Sequence, residues 1–304
     1  MGLKTPFTTS FNLPDGREVI LETGKLGTLA HGSAMVRLGN TMLFASVVSN
    51  KEARAGQEFF PLSVDYQERF AAAGKIPGNF FRRETKLSDY EILISRLVDR
   101  TIRPLFADTY LNETQIIINL ISGDEETMPD ALVGLAASAA LCCSDIPWEG
   151  PISEVRVAKI NGEFLINPNR TALKNAELDI IIGATESNLM MVEGEGRECS
   201  EKDLIEAIKI GHEAIKTQCQ AQLKLASLLG ARIATKREIK ILELDEELKS
   251  FVEKETSSKI KATAEGGYDK NTRKLAFEQT LKECIEKITQ EKGEEYIAEK
   301  KSTL

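Results

Sequence analysis

With 304 residues, 42% hydrophobic and 28% charged, the chain has the composition of a globular protein, and its length suits one large domain plus a smaller one. Its apolar stretches, such as 131–143, are broken by glycine and serine, and residues 1–13 lack a basic start followed by an apolar core, so neither a membrane helix nor a secretory signal is expected and a cytoplasmic location follows. The net charge of −8 argues against uniform nucleic-acid affinity, but residues 69–103 carry eight Lys/Arg against four Asp/Glu, a net of +4 between flanks of −1 and −11.

The first 70 residues alternate apolar and polar side chains at the period of half-buried strands. Strands are predicted over 19–22, 34–38 and 42–49, with Gly39-Asn40 as a two-residue hairpin turn. Another is predicted over 59–66, and the isoleucine-rich run 115–121 suits a buried central strand. A second hairpin follows, 155–160 and 163–166 about Asn161-Gly162, then strands at 178–182 and 189–193. The sequence Glu193-Gly194-Glu195-Gly196 reads as a turn.

Three helices interrupt these strands. Ser88 with Glu91 three residues on is a capping box, opening a helix that Arg103-Pro104 closes. Pro129 starts the helix 130–143, whose Ala, Gly, Ser and Leu allow close backbone approach. Ser200 caps a helix that runs to Leu229, where Gly230 stops it. The mixture defines an α+β fold. Past Gly230, Lys and Glu dominate, helices are predicted over 245–255 and 272–290 with Gly266-Gly267 between them, and the charged last dozen residues are expected to fray. The boundary falls between Arg232 and Glu238, giving domains 1–235 and 236–304.

Five cysteines (Cys142, Cys143, Cys199, Cys219, Cys284) without C-x-x-C spacing read as reduced core thiols. His31 and His212 have no second ligand at metal spacing and read as structural. The chain has no Walker A pattern, no G-x-G-x-x-G after a strand and no G-x-S-x-G elbow. What remains is the basic segment. In the loop Gly78–Glu84, Phe80 and Phe81 suit base stacking and Arg82 and Arg83 suit phosphate binding, as single-stranded RNA requires. The same residues also suit one buried and one half-buried ring with the arginines paired with Glu68 or Glu84. Arg96, Arg100 and Arg103, at i, i+4 and i+7, make one helix face basic opposite Ile92, Leu93 and Leu97. That face either contacts phosphate or is solvated, with Asp99 compensating Arg96 and Arg103. Two basic groups in one short segment point to a shared polyanionic ligand. The turn Ser122–Asp130 is acidic and makes a poor phosphate cradle; its carboxylates read as helix-capping acids in preference to a magnesium site.

Gly78–Glu84 (GNFFRRE), Arg100–Phe106 (RTIRPLF), Ala136–Pro147 (AASAALCCSDIP) and Leu189–Glu193 (LMMVE) stand in the order and spacing of the first core domain of bacterial polynucleotide phosphorylase (polyribonucleotide nucleotidyltransferase). The chain resembles that family over residues 5–225, and its tail from 235 is similar to the family's all-helical linker domain. The resemblance implies a ribonuclease PH-like core, of the ribosomal protein S5 domain 2-like type, followed by a small all-α domain. It implies a 3′-to-5′ phosphorolytic exoribonuclease of mRNA degradation, in which inorganic phosphate attacks the 3′-terminal phosphodiester of single-stranded RNA and releases a nucleoside diphosphate. Mg²⁺ is the implied cofactor; a homotrimeric ring and an RNA-degradation complex are the implied assemblies. On this resemblance Phe80, Phe81, Arg82 and Arg83 become RNA-channel contacts, and Arg96, Arg100 and Arg103 RNA or phosphate-side contacts. The family keeps its serine-rich phosphate pocket and metal-binding aspartates in a second core domain, so the catalytic residues are expected outside this chain. The alternative is a non-catalytic RNA-binding and ring-scaffold module.

Overall fold

A computed structural model describes residues 6–54, 56–57, 59–76, 86–230, 235–239, 245–294 and 296–297. The chain divides into two compact units, 1–239 and 240–304.

The first unit contains two sheets. Strands β1 (Phe7–Asn12), β2 (Glu18–Thr23), β3 (Gly32–Leu38), β4 (Thr41–Ser49), β5 (Leu62–Glu68) and β6 (Thr114–Ser122) form one, in the order β1-β2-β3-β4-β6-β5. β1 to β4 are an antiparallel meander, β6 pairs antiparallel with β4, and β5 runs parallel to β6. Gly39 takes φ +59 in the β3–β4 turn, as a primed hairpin demands. The isoleucine-rich strand is internal, with Ile116 and Ile118 fully buried. Two expectations need correction. The strand predicted at 59–66 occupies 62–68, because Phe59 is exposed, Phe60 leaves the ladder to pack on Phe106 and Tyr110 at 4.6 and 5.7 Å between centroids, and Pro61 has no N–H to give. β1 is a strand that the sequence pattern does not predict, since its Thr-Thr-Ser centre carries little apolar signal; it is an edge strand covered on one side by a helix.

The second sheet is antiparallel: β7 (Ile152–Ile160), β8 (Glu163–Ile166), β9 (Leu178–Thr185) and β10 (Leu189–Gly196), in the order β10-β9-β7-β8. Glu193 to Gly196 continue β10 and are not a turn: Glu193 pairs with Ile181 and Glu195 with Asp179. Gly194 is there for close approach, since a Cβ at that position would lie 2.2 Å from the Asp179 carbonyl oxygen.

Between the sheets lies α2 (Asp130–Cys142), which packs on β3 and β4 on one side and on β7 on the other. Residues 130–141 are buried on every side, and the predicted small-residue composition is what makes that fit. α1 (Asp89–Ile102) lies on β5, and α4 (Glu201–Ser227) covers β7, β9 and the β1 edge; α3 (Arg170–Leu173) is a single turn. The capping box of α1 is formed: Ser88 Oγ accepts the Glu91 N–H at 3.2 Å and the Glu91 carboxylate accepts the Ser88 N–H at 2.7 Å. Its buried stripe is Ile94, Leu97, Val98 and Ile102, whereas Ile92 and Leu93, predicted on the apolar side, are exposed. Residues 235–239 lie back on this unit. Arg237 donates two 2.9 Å bonds to the Asp145 carboxylate and another to the Ser49 carbonyl.

The second unit pairs α5 (Glu246–Glu265) with α6 (Lys270–Lys292), capped by Asp245 and Asp269. Leu248, Cys284 and Ile288 form its small core. α5 runs ten residues beyond its predicted end at 255, and within it the hydroxyls of Thr256 and Ser257 bond back to the carbonyls of Val252 and Glu253. Of the tail expected to fray, Tyr296 and Ile297 pack on that core, and the Tyr296 hydroxyl donates to Asp245 at 2.9 Å. No helix among the described residues is long and apolar enough to cross a membrane.

One buried carboxyl makes the first unit sensitive to pH. Glu154 on β7 faces α2 with 1% exposure, against Gly134, where a Cβ would lie 2.5 Å from its carboxyl. Burial pushes its carboxyl up to about 8, opposed in part by the Thr101 hydroxyl that donates to it at 3.0 Å. The folded chain keeps a proton that the unfolded chain releases near 4.5, so stability falls as pH rises from that value through about 8. Glu154→Gln, which cannot ionise, should melt about 5 °C above the parent near pH 9, an advantage that shrinks toward about pH 5. Parallel pH dependence of the two melting curves would contradict this.

Candidate nucleic-acid interface

α1 owes its orientation to the buried stripe on β5 and to a second contact beneath Thr101, where Gly183 of β9 leaves room; a Cβ there would lie 2.6 Å from the Thr101 hydroxyl. The opposite face, Ile92, Leu93, Arg96 and Arg100, is turned to solvent. It combines apolar and cationic side chains at helical spacing, where the sequence pattern places the two on opposite sides.

The three arginines predicted as one set have three different environments. Arg103 is held from several directions: Nε and Nη2 donate to Asp99 at 3.1 and 2.8 Å, Nη1 to the Phe60 carbonyl at 3.0 Å and Nη2 to the Leu62 carbonyl at 3.1 Å. Its guanidinium also lies 5.7 Å from the centre of the Phe60 ring. It ties the end of α1 to the start of β5. Arg100 forms an ion pair with Glu193 of β10, a partner 93 residues away that no local pattern could reveal. Arg96 is exposed and makes no ion pair among the described residues; Asp99, expected to compensate both Arg96 and Arg103, serves Arg103. Phe80, Phe81, Arg82 and Arg83 lie outside the described residues.

The acidic turn before α2 differs from its predicted role. Pro129, not an acid, is the N-cap of α2 and makes no side-chain cap bond, while Asp130 in the first turn accepts the Ala131 N–H at 2.7 Å. Asp124 closes its own turn, accepting the N–H groups of Glu126 and Thr127 at 3.0 and 2.6 Å and the hydroxyls of Thr127 and Thr41 at 3.0 and 3.2 Å. Partial burial opposes ionisation there, but these bonds, led by those from Thr127, hold the carboxyl below its ordinary value. Glu126 accepts the hydroxyl and N–H of Thr171 at 2.7 and 3.2 Å. Asp130 turns inward to Arg156 of β7, which also binds both oxygens of Asp179 on β9 at 2.6 Å. Three of the four carboxylates are thus consumed by protein donors and do not fit a magnesium ion. Among the described residues no group of three or more His, Cys, Asp or Glu side chains is arranged to hold a metal.

Both histidines have structural partners. His31 Nδ1 accepts the Ser49 N–H at 3.0 Å, and burial followed by the charge of Arg237 holds its pKa low. His212 Nε2 lies 3.1 Å from the Thr185 carbonyl. The five cysteines are free thiols.

Sheets of six and four antiparallel-rich strands around a buried helix find a match among known families. Family models for domain 1 and domain 2 of the 3′ exoribonuclease family match residues 15–147 and 150–214, respectively. The first stretch takes in most of the six-stranded sheet with α1 and α2, the second the four-stranded sheet and the first half of α4. The chain therefore belongs to the 3′ exoribonuclease family, with the α+β, ribonuclease PH-like fold that the resemblance implied. Its relatives include the polyribonucleotide nucleotidyltransferase of Amoebophilus asiaticus, 52% identical over 288 residues that make up 94% of this chain and 40% of that protein. Those of Bacteroides fragilis and Cytophaga hutchinsonii are each 50% identical, over 95% and 93% of this chain and 41% and 40% of theirs. The chain spans about two-fifths of the length of these relatives.

The different environments of the arginines predict different losses. Arg103→Ala should cost about 1–2 kcal/mol of folding stability by releasing the β5 and Asp99 bonds. Arg96→Ala should stay within about 0.5 kcal/mol of the parent. Urea unfolding of both variants measures the difference, and equal losses would contradict the assignment.

Proposed function

We propose that this chain provides a single-stranded RNA-binding face of a 3′-to-5′ phosphorolytic exoribonuclease, a polyribonucleotide nucleotidyltransferase of mRNA degradation. The observation that carries the reading is the exposed Ile92, Leu93, Arg96, Arg100 face of α1, which follows the aromatic and basic sequence Phe80 to Arg83 in an otherwise acidic chain. Guanidinium groups bind phosphate oxygens through paired N–H donors, and apolar side chains beside them take bases or riboses without regard to sequence. Arg103 supports this face by fixing the end of α1 and leaves RNA contact to Arg96 and Arg100.

Attack of inorganic phosphate on the 3′-terminal phosphodiester needs a site for that phosphate. Asp124 and Glu126 make the turn that leads into α2 negative, which repels it. On this reading the phosphorolytic step and its Mg²⁺ belong to a second core domain of the complete enzyme, and a homotrimeric ring in the cytoplasm is its working form. A non-catalytic RNA-binding and ring-scaffold module is the second reading, favoured by the same occupied turn.

Two measurements test these readings. Replacing Arg96 and Arg100 together with alanine should weaken oligoadenylate binding and flatten the slope of log K against log salt by about 0.7, the value for the phosphate neutralised at Arg96, where no carboxylate is displaced; Arg82→Ala with Arg83→Ala should flatten the slope as well. An unchanged slope in both would assign the arginines to the fold. Incubation with oligoadenylate, inorganic phosphate and Mg²⁺ should release no ADP from this chain alone, and sustained release would sink the scaffold reading.

A further inference from the structure

We propose that Glu193 is a built-in competitor for RNA at Arg100: its carboxylate occupies the guanidinium until a backbone phosphate displaces it, and recovers it when the phosphate leaves. This rests on the reading of α1 as an RNA-binding face. The pair joins two elements that are positioned independently of it. α1 is fixed by Ile94, Leu97, Val98 and Ile102 and by Arg103, and β10 by its ladder to β9. Both side chains are 48% exposed, so water and salt screen the attraction and breaking it costs the fold little. The acid nevertheless sits where it matters. Glu193 belongs to the edge strand of its sheet, with Glu195 two residues on and on the same strand face, and it meets the one arginine of the exposed face that has a carboxylate partner among the described residues. Arg96, one turn earlier on α1, has no ion-pair partner among the described residues.

The two arginines therefore bind phosphate on different terms. At Arg96 a phosphate sheds its counterion and gains a guanidinium. At Arg100 the phosphate does the same but leaves Glu193 uncompensated, and that carboxylate takes a cation from solution, which cancels the release. Binding at Arg100 is consequently weaker and easily exchanged, which suits a strand that must advance as its 3′ end is shortened.

The test is oligoadenylate binding by the 304-residue chain across about 50–200 mM salt, for the parent, Glu193→Gln, Arg100→Ala and the double variant. Glu193→Gln should bind about 3- to 10-fold tighter at the low-salt end, with a slope steeper by about 0.7 and a melting temperature within about 2 °C of the parent. In the Arg100→Ala background the same substitution should change neither affinity by more than about 2-fold nor the slope. Equal tightening with and without Arg100 would reduce Glu193 to general repulsion and overturn the proposal while leaving the RNA face intact. No effect of Arg100→Ala on binding would instead remove Arg100 from that face, and the competitor with it. A melting temperature lowered by much more than about 2 °C in Glu193→Gln, with unchanged affinity, would make the pair structural and also overturn it.

Discussion

A helix with no solvent face sets the terms for the whole first unit. α2 is buried from Asp130 to Leu141, so each side must be narrow enough for a sheet. At Gly32 of β3 a Cβ would meet the Ala140 carbonyl oxygen at 2.2 Å, and at Gly134 it would meet Glu154 of β7 at 2.5 Å. Burial on both sides also fixes where polar groups go. The α2 end that carries Asp130 is held to β7 and β9 through Arg156 and Asp179. Removing one member of such a network strands a buried charge, at a cost of about 3–5 kcal/mol. These interactions join the six-stranded and four-stranded sheets into one body.

The surface chemistry follows from that packing. Because α2 fills the space between the sheets, α1 lies at the open side of β5, gives its Ile94, Leu97, Val98, Ile102 stripe to the core, and leaves Arg96 and Arg100 outside. Several acids of this body are engaged elsewhere: Asp124 with its turn, Glu126 with Thr171, Asp99 with Arg103, Asp130 and Asp179 with Arg156. A chain of net charge −8 can thus keep a locally cationic helix face.

Much of this is legible in the sequence, where the signal is local. The Gly39 turn, the Ser88 capping box, the small residues of α2 and the isoleucines of β6 each report a short-range demand of the backbone or of burial. What the sequence conceals depends on distant partners. Glu193 to Gly196 look like a turn because two glycines alternate with two acids, yet Gly194 serves the β9 backbone. Arg96, Arg100 and Arg103 look equivalent at helical spacing, but Asp99 and two β5-side carbonyls claim Arg103 and a strand 93 residues away claims Arg100. Asp130 looks like a first-turn acid, and only the position of Arg156 reveals it as a buried ion-pair partner.

The proposed function places RNA on one helix face of this chain and away from its acidic surfaces. Ultraviolet cross-linking of oligouridine to the chain, followed by mass-spectrometric mapping of the modified peptides, tests that assignment most directly. Cross-links should concentrate in peptides covering residues 77–103, with none in the acidic turn 122–127. Cross-links confined to that turn or to the helices of residues 245–294, with residues 77–103 unmodified, would contradict it.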